Sequence, residues 1–187
     1  PALLFNPLPS GFNPDIRQKK IVWDLPETVE LPNVINDLAF YTVAELSVLI
    51  RQRKISSVEL TQFFLDRLKK YGDTLHCVIS LTEDIALHQA QRADEEIKNG
   101  TYRSSLHGIP YGIKDLLSLP GYPTTWGAEP YKEQVLEETA TVINKLEEAG
   151  AVLVAKLTLG ALAMDDVWFG GQTRNPWDLN QGSSGSS

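Results

Sequence analysis

Several kinds of residue are scarce in this chain of 187 residues. Cysteine occurs once, at Cys77, and histidine occurs three times. A single thiol cannot form a disulfide within the chain. One cysteine with three scattered histidines is also too little for a zinc site built from these ligands. The sequence therefore leaves the redox compartment open.

Long apolar runs and basic clusters are missing as well. The longest uninterrupted apolar run, residues 151–155, is far shorter than the ~18 residues of a membrane-spanning helix. The chain has 17 basic against 24 acidic side chains, a net charge of -7, and no basic cluster longer than residues 67–70. We therefore predict no membrane span and no nucleic-acid partner.

Both ends of the sequence suggest a piece of a longer chain. It begins with Pro1 rather than Met and shows no charged-then-apolar leader. It ends within a run of small residues, 180–187, where a compact domain seldom stops. Cytoplasmic location is the default expectation, and export stays open if a leader was removed before Pro1. The sequence also leaves open whether the protein is a homodimer.

The first 36 residues contain six prolines. Proline removes backbone donors and disfavours helix, so residues 1–36 are predicted to form an extended arm over a neighbouring surface. Residues 21–23 could add a short strand to it. The domain proper is predicted to cover residues 37–187.

Helices are predicted in the first half of this domain. Thr42 with Glu45, and Ser56 with Glu59, have the capping-box spacing, and each pair precedes a run of apolar residues at helical spacing. Gly72 is predicted to end the second helix. A third helix is predicted from a stripe of Ala86, Ala90, Ala93 and Ile97.

Alternating strands and helices follow. Residues 112–117 and 151–157 are apolar and partly β-branched, as buried strands are. Residues 141–149 between them have helical spacing and end before Gly150. This order predicts a βαβ unit in an α/β sheet.

Lys114 lies in the middle of an apolar segment, residues 108–116. Burial would lower the pKa of this ammonium group and allow it to act as a neutral base. The alternative is a lysine that pairs with Asp115 or extends to the surface.

The run at residues 182–187 offers hydroxyls and free backbone N–H groups, which suit nucleophile or oxyanion chemistry. Its alternative interpretation is a linker. The sequence has no phosphate loop, no Ser-x-x-Lys motif and no Gly-x-Ser-x-Gly elbow.

Other polar residues are predicted to have ordinary roles. Asp165 and Asp166 are neighbours in sequence, and the side chains of neighbours point in different directions. We therefore expect no shared proton between them, and we expect the pair to lie in a solvated turn or a helix cap. Arg174 could bind a carboxylate or hold its loop in place. No metal-ligand spacing links the histidines, which are His76, His88 and His107.

Five segments together resemble the amidase signature family in order and spacing, and the resemblance covers residues 42–187. They are GIPYGIKDL (108–116), TT (124–125), EAGAVLVAKLT (148–158), TRNPWD (173–178) and GSSGS (182–186). The resemblance implies an α/β fold with a mixed β-sheet flanked by helices, of which only the N-terminal part is present.

The resemblance also implies a catalytic triad of serine, cis-serine and lysine that hydrolyses amides to acid and amine. Lys114 is then the lysine, and Ser183 is the bridging serine whose preceding peptide is cis. Gly182 and Ser184 are candidate loop contacts for the oxyanion or substrate. The implied substrate is a small-molecule amide, with no metal and no cofactor.

In this family the nucleophilic serine lies a couple of dozen residues beyond the bridging one, so the 187-residue chain itself is expected to be inactive. Two alternatives stay open. One is the glutaminase-type component of a tRNA-dependent amidotransferase, which shares the triad. The other is a non-catalytic scaffold that kept the fold.

Overall fold

The computed structural model describes Pro9, residues 11–17 and residues 22–186. Part of the predicted arm, including Ile21, lies outside these residues. Val22 and Trp23 are exposed and have no regular secondary structure. The predicted short strand is therefore wrong for these two residues, since neither is paired with another strand.

Helices α1 (Val43–Arg51) and α2 (Ser57–Leu75) begin with the two predicted capping boxes. The Thr42 N–H donates to the Glu45 carboxylate at 2.7 Å, and the Glu45 N–H donates to the Thr42 hydroxyl at 3.2 Å. Ser56 and Glu59 exchange the same pair of hydrogen bonds at 2.8 and 3.1 Å. Both predicted helix starts are confirmed.

Helix α2 does not end at Gly72, as predicted, but continues to Leu75 and is capped by His76 in the left-handed conformation (φ 50°). Gly72 is buried within the helix, and a Cβ there would lie 3.0 Å from a methyl group of Val78. The glycine permits close packing and does not terminate the helix.

Residues 27–30 lie against the region just after α1. The Gln52 side-chain amide donates to the Glu27 carbonyl at 2.8 Å, and Lys54 Nζ donates to the Val29 carbonyl at 2.7 Å. This extended segment is therefore attached through its backbone carbonyls.

Helix α3 (Glu83–Lys98) buries the predicted stripe of alanines and Ile97. It ends at Asn99, and Gly100 follows with φ +84°. The helix is attached to the sheet at its start, where the Thr82 hydroxyl donates to the Leu153 carbonyl at 2.7 Å.

The main sheet has three strands in the order β1–β3–β2. Strand β3 (Val152–Leu157) is antiparallel to β1 (Val78–Leu81) and parallel to β2 (Pro110–Lys114). Helix α4 (Thr141–Glu148) lies between β2 and β3 in sequence. The predicted helix–strand alternation and mixed sheet are confirmed.

Strand β2 begins and ends earlier than the predicted 112–117. A turn follows it directly, because the Leu117 N–H donates to the Lys114 carbonyl at 3.0 Å. Lys114 is thus the last residue of the strand and lies at the edge of the sheet, where its side chain can reach a neighbouring loop.

The core lies between the helices and the sheet in three clusters. One packs α1 against the start of α2, one packs α2 and α3 against β3, and one packs α4 against β2 and β3. Representative buried residues of the three are, in turn, Leu49 and Leu60, Ala86 and Val154, and Ile113 and Ile143.

Short antiparallel ribbons follow the sheet. Strand β4 (Val167–Trp168) pairs with β5 (Gly171–Gln172), and β6 (Arg174–Asn175) pairs with β7 (Asp178–Gly182). Strand β7 brings residues 183–186 to the end of β2. Within the described part of the chain, no helix has the length and apolar character needed to cross a membrane.

Candidate active site

Lys114 makes its side-chain contact with the glycine–serine segment. Its Nζ donates to the Ser186 hydroxyl at 2.6 Å across 72 positions of sequence. Residues 182–186, which we call the serine loop, thus meet the carboxyl end of β2. A hydroxyl and an amine at this distance can exchange a proton, which is the chemistry required of an acid–base pair.

Lys114 and Ser183 share no hydrogen bond among the described residues, so the bridging role of Ser183 stays a prediction. The Ser183 N–H donates to the Thr173 carbonyl at 2.8 Å, which keeps Ser183 beside the β6–β7 ribbon. Its hydroxyl oxygen is buried and has no hydrogen-bond partner among the described residues. The cis peptide bond joins Gly185 to Ser186, whereas the sequence predicts it before Ser183. Ser183 is still attached to the ribbon, so the chain reaches Lys114 only at Ser186.

The predicted loop contacts Gly182 and Ser184 lie at the end of the β6–β7 ribbon. Gly182 is the last residue of β7 and is in register with Arg174. The Ser184 N–H donates to a carboxylate oxygen of Asp166 at 2.9 Å. That N–H is therefore already used within the fold, so the predicted oxyanion role of Ser184 stays a prediction without a free donor.

Asp115 does not pair with its neighbour Lys114. It forms an ion pair with Lys156 of β3, in which Nζ lies 2.9 Å from Oδ1 and both side chains are 0 % exposed. Lys156 also donates to the Pro123 carbonyl at 2.6 Å and to the Thr124 hydroxyl at 2.7 Å. The second Asp115 oxygen accepts from the Thr125 N–H at 2.9 Å and from the Thr125 hydroxyl.

This buried cluster stabilises the turn that follows Lys114. Burial lowers the pKa of the Lys156 ammonium, and the hydrogen bond and charge of Asp115 partly offset that effect. Because Asp115 is engaged by Lys156, it leaves the Lys114 ammonium available to Ser186. The alternative in which Lys114 pairs with Asp115 is not what the structure shows.

Asp166 has an environment different from the one predicted from the sequence. The predicted solvated turn is wrong for it, since its side chain is only 5 % exposed. The carboxylate accepts from the Gln172 side-chain amide at 3.0 Å as well as from Ser184. These two hydrogen bonds, with Gln172 first, hold the pKa of the Asp166 carboxyl below its usual value. The one signal in the sequence that could have indicated burial of Asp166 is its position directly before the apolar residues Val167 and Trp168.

The remaining candidates have structural contacts. Arg174 donates to the Thr74 carbonyl near the end of α2 at 3.2 Å, which confirms that it holds its loop in place. His76 caps α2, and His107 is buried beside Glu96. Within residues 9, 11–17 and 22–186, no three His, Cys, Asp or Glu side chains are grouped to hold a metal ion.

Known proteins are similar to this chain in sequence. The family model described as Amidase matches residues 59–187. The A-type component of the glutamyl-tRNA(Gln) amidotransferase of Coxiella burnetii is 41% identical over 150 residues, which are 78% of this chain and 31% of that protein. The corresponding protein of Thermoanaerobacter pseudethanolicus is 37% identical over 154 residues, which are 81% of this chain and 31% of that protein.

Solved structures of amidases have a similar fold. The native peptide amidase from Stenotrophomonas maltophilia superposes with a TM-score of 0.73 at 32% identity, covering 79% of this chain and 32% of that one. An amidase family protein from Bacillus anthracis has a TM-score of 0.73 at 29% identity, covering 81% and 32%.

The chain therefore belongs to the amidase family and has its α/β fold. It spans about a third of the length of the relatives that it matches.

Proposed function

We propose that the whole protein hydrolyses the carboxamide bond of a small-molecule amide to a carboxylic acid and an amine, with Lys114 and Ser186 as its proton relay. The observation that carries the proposal is the 2.6 Å hydrogen bond between Lys114 Nζ and Ser186 Oγ. The family resemblance implies Lys114 as the lysine and Ser183 as the bridging serine. Ser183 stays a proposal beside Ser186, which is the serine that contacts Lys114.

In the proposed relay, Lys114 is the base. Its amine takes the proton of the Ser186 hydroxyl while Ser186 takes a proton from the nucleophilic serine, whose oxygen attacks the amide carbon. The proton then returns along the same path to the departing amine as the C–N bond breaks. A water molecule then gives its proton to the relay and attacks the acyl carbon. The acyl C–O bond breaks, the acid leaves, and the relay returns the proton to the nucleophilic serine.

The nucleophile that the family resemblance implies lies beyond residue 187. We accordingly propose that the 187-residue chain by itself does not turn over amides. The pair formed by Lys114 and Ser186 can move a proton, but acyl transfer also needs an attacking oxygen and an oxyanion site.

Substitutions at three positions in the whole protein test the relay. Lys114→Ala and Ser186→Ala are each expected to lower kcat by at least ~10²-fold, the usual contribution of a positioned acid–base group. The assay measures amine or ammonia release from a peptide amide, an aryl acylamide and glutamine.

Ser183→Ala is the matched control, since it removes the same hydroxyl three positions away. Because that hydroxyl has no partner among the described residues, we expect kcat within about twofold of wild type. A large loss in Ser183→Ala with an unaffected Ser186→Ala would reverse the assignment. Full activity in Lys114→Ala with an intact fold would end the proposal.

A second candidate function is supported by the sequence comparison. Identity to the amidotransferase components reaches 41%, against 32% for the peptide amidase. On this alternative the whole protein is a glutaminase that releases ammonia from glutamine and works with partner proteins. Purified whole protein that hydrolyses glutamine only when the other amidotransferase components are added would favour it. Turnover of peptide or aryl amides by the protein alone would favour the first function.

A further inference from the structure

Asp115, the residue directly after Lys114, is attached to β3 through both its main chain and its side chain. Its N–H donates to the Leu157 carbonyl at 2.8 Å, and one of its carboxylate oxygens lies 2.9 Å from Lys156 Nζ. Leu157 is also the residue of β3 that is in register with Lys114. The ends of the two strands are therefore joined on both sides of the peptide bond between residues 114 and 115.

The second attachment of Asp115 is the loop at residues 123–127, which we call the threonine loop. The other carboxylate oxygen accepts from the Thr125 N–H at 2.9 Å and from the Thr125 hydroxyl. The Asp115 carbonyl accepts from the Trp126 N–H at 3.3 Å, although Trp126 has a positive φ of 51° that needs support from its surroundings. The Thr125 hydroxyl also accepts from the Gly127 N–H at 3.1 Å. Asp115 and the threonine loop thus hold each other in place.

These contacts converge on one buried charge. Asp115, Lys156 and Thr125 are each at most 1 % exposed. A buried carboxylate is costly unless a cation and hydrogen-bond donors satisfy it. Lys156 supplies the cation here and Thr125 supplies two donors, in hydrogen bonds that the charge strengthens. A displacement of Asp115 would weaken all of these contacts together, so the main chain at this point has little freedom.

Lys114 depends on this anchor because its own side chain has few contacts. It is half-buried, and none of the carboxylates in the described part of the chain forms an ion pair with it. A lysine side chain is a flexible four-carbon stem. The position of its amine is therefore set chiefly by the main chain from which the stem starts, and that main chain is held by Asp115.

We propose that Asp115 is a positioning residue, whose buried contacts with Lys156 and Thr125 fix the end of β2 and so place the Lys114 amine in the active site. The inference rests on the proposed function in one respect, the role of Lys114 as the base. It does not depend on which serine bridges Lys114 to the nucleophile. A displacement of about 1 Å can cost about 10²-fold in rate, so a weakened anchor should slow the reaction without removing a reacting group.

The test measures the second-order rate at which a fluorophosphonate probe labels the nucleophilic serine of the whole protein. The serine oxygen bonds to phosphorus, the P–F bond breaks with loss of fluoride, and the serine proton passes through the relay to Lys114. Thr125→Val keeps the shape of the side chain and the pair of Asp115 with Lys156, but it removes the hydroxyl that Asp115 and Gly127 share. We expect labelling about tenfold slower than in wild type.

Thr125→Ser separates the hydrogen bond from the packing, because it keeps the hydroxyl and loses a buried methyl group. Labelling within about threefold of wild type is expected for this variant. A merely structural role would give the opposite order, with Thr125→Ser slow and Thr125→Val normal, and that order would overturn the inference. If Thr125→Val does not fold, Thr125→Cys replaces it, since a thiol is only a weak donor. A wild-type rate in the replacement would count against the inference in the same way.

Thr82→Val is the matched control. Thr82 is 0 % exposed, and its hydroxyl donates one hydrogen bond to β3 at Leu153, four residues before Leu157. This variant loses a buried hydroxyl hydrogen bond at the end of β3 that lies away from Lys114, and it should label within about twofold of wild type. A loss as large as that of Thr125→Val would show that any buried hydroxyl has this effect.

A double-mutant cycle shows whether Thr125 acts through Lys114. In a Lys114→Ala background, Thr125→Val is expected to cause less than about twofold further loss, because there is no amine left to misplace. Losses that multiply would overturn the inference, since a general defect of the fold acts with or without the amine. Undiminished labelling in Lys114→Ala alone would instead refute the role of Lys114 in the proposed function, so the two failures are distinguishable.

Discussion

At the scale of single residues, two lysines at neighbouring strands differ in what surrounds their ammonium groups. Lys156 is completely buried on Asp115 and two further oxygen acceptors. Lys114 is half-buried and meets a single hydroxyl. The first arrangement satisfies a charge within the core, and the second is the contact on which the proposed relay rests.

Lys156→Met is predicted to destabilise the protein by about 3–5 kcal/mol, because the Asp115 carboxylate then stays buried without its cation. Urea unfolding followed by circular dichroism measures this change. The midpoint urea concentration should fall, while the dependence of the unfolding free energy on urea concentration stays the same. Lys145→Met, the same substitution at an exposed position of α4, should stay within about 0.5 kcal/mol of wild type. Equal stability of the Lys156 and Lys145 variants would contradict this account of the pair.

At the scale of elements, the loop between α3 and β2 contacts the end of α3 through His107 and the end of α4 through Ser104. The side chain of His107 is 1 % exposed, and its Nε2 lies 3.1 Å from a Glu96 carboxylate oxygen. Its Nδ1 accepts from the Arg103 N–H at 3.1 Å, so the neutral ring with its proton on Nε2 satisfies both partners. The carbonyl of Ala149, at the end of α4, accepts from the Ser104 hydroxyl at 2.7 Å.

Stability is predicted to fall as the pH is lowered below about 6.5, the usual pKa of histidine. Burial lowers the pKa of folded His107, while Glu96 raises it and Arg103 and Arg92 lower it further. The unfolded chain therefore binds a proton that the folded chain does not, and unfolding is favoured by at most about 1.4 kcal/mol per pH unit. His107→Gln keeps polar groups at both ends of the side chain without the titration.

Urea midpoints at pH 7.5, 6.5 and 5.5 check this prediction. The wild type should lose stability over this range more steeply than His107→Gln. Parallel profiles for the two proteins would show that another group controls the pH dependence. Glu96 also has a lowered pKa, chiefly through its hydrogen bond with Arg103, but its contribution is lost at lower pH, below about 4.5.

At the scale of the whole molecule, large apolar side chains are exposed near the serine loop's ribbon. Trp177 is 93 % exposed, and Met164 and Leu162 are exposed as well. Large exposed apolar groups commonly mark surfaces that another segment or chain covers. The relatives are about two and a half times as long as this chain, and we predict that a segment of the whole protein covers this surface.

Trp177 is predicted to be protected from acrylamide in a protein of the relatives' length and accessible in the 187-residue chain. For each of the two lengths, acrylamide quenching of tryptophan fluorescence is compared with that of the Trp177→Phe variant. The difference gives the contribution of Trp177. Trp23, 64 % exposed in the N-terminal segment, is the control, and its difference should be the same in both lengths. Equal quenching of Trp177 in the two proteins would show that this surface stays uncovered.

Local signals account for the parts of this fold that the sequence predicts well. The capping boxes at Thr42 and Ser56 and the alanine stripe of α3 depend on neighbours within a turn or two, and all three appear in the structure. Gly72 was a misleading signal, since its small size serves packing against Val78 and not the end of a helix. From residues alone, a glycine near a helix end does not distinguish these two uses.

The amino-acid sequence by itself determined the helices, the strand–helix–strand unit, the family resemblance and the place of Lys114, because periodicity, caps and motif order are local properties of the chain. Only the tertiary structure decided which serine meets that lysine and which carboxylate supports the loop. Ser183, Ser184 and Ser186 are chemically alike, and what separates them is how far the chain must travel from the β6–β7 ribbon to the end of β2. Long-range geometry of that kind depends on packing between segments distant in sequence, and no local pattern encodes it.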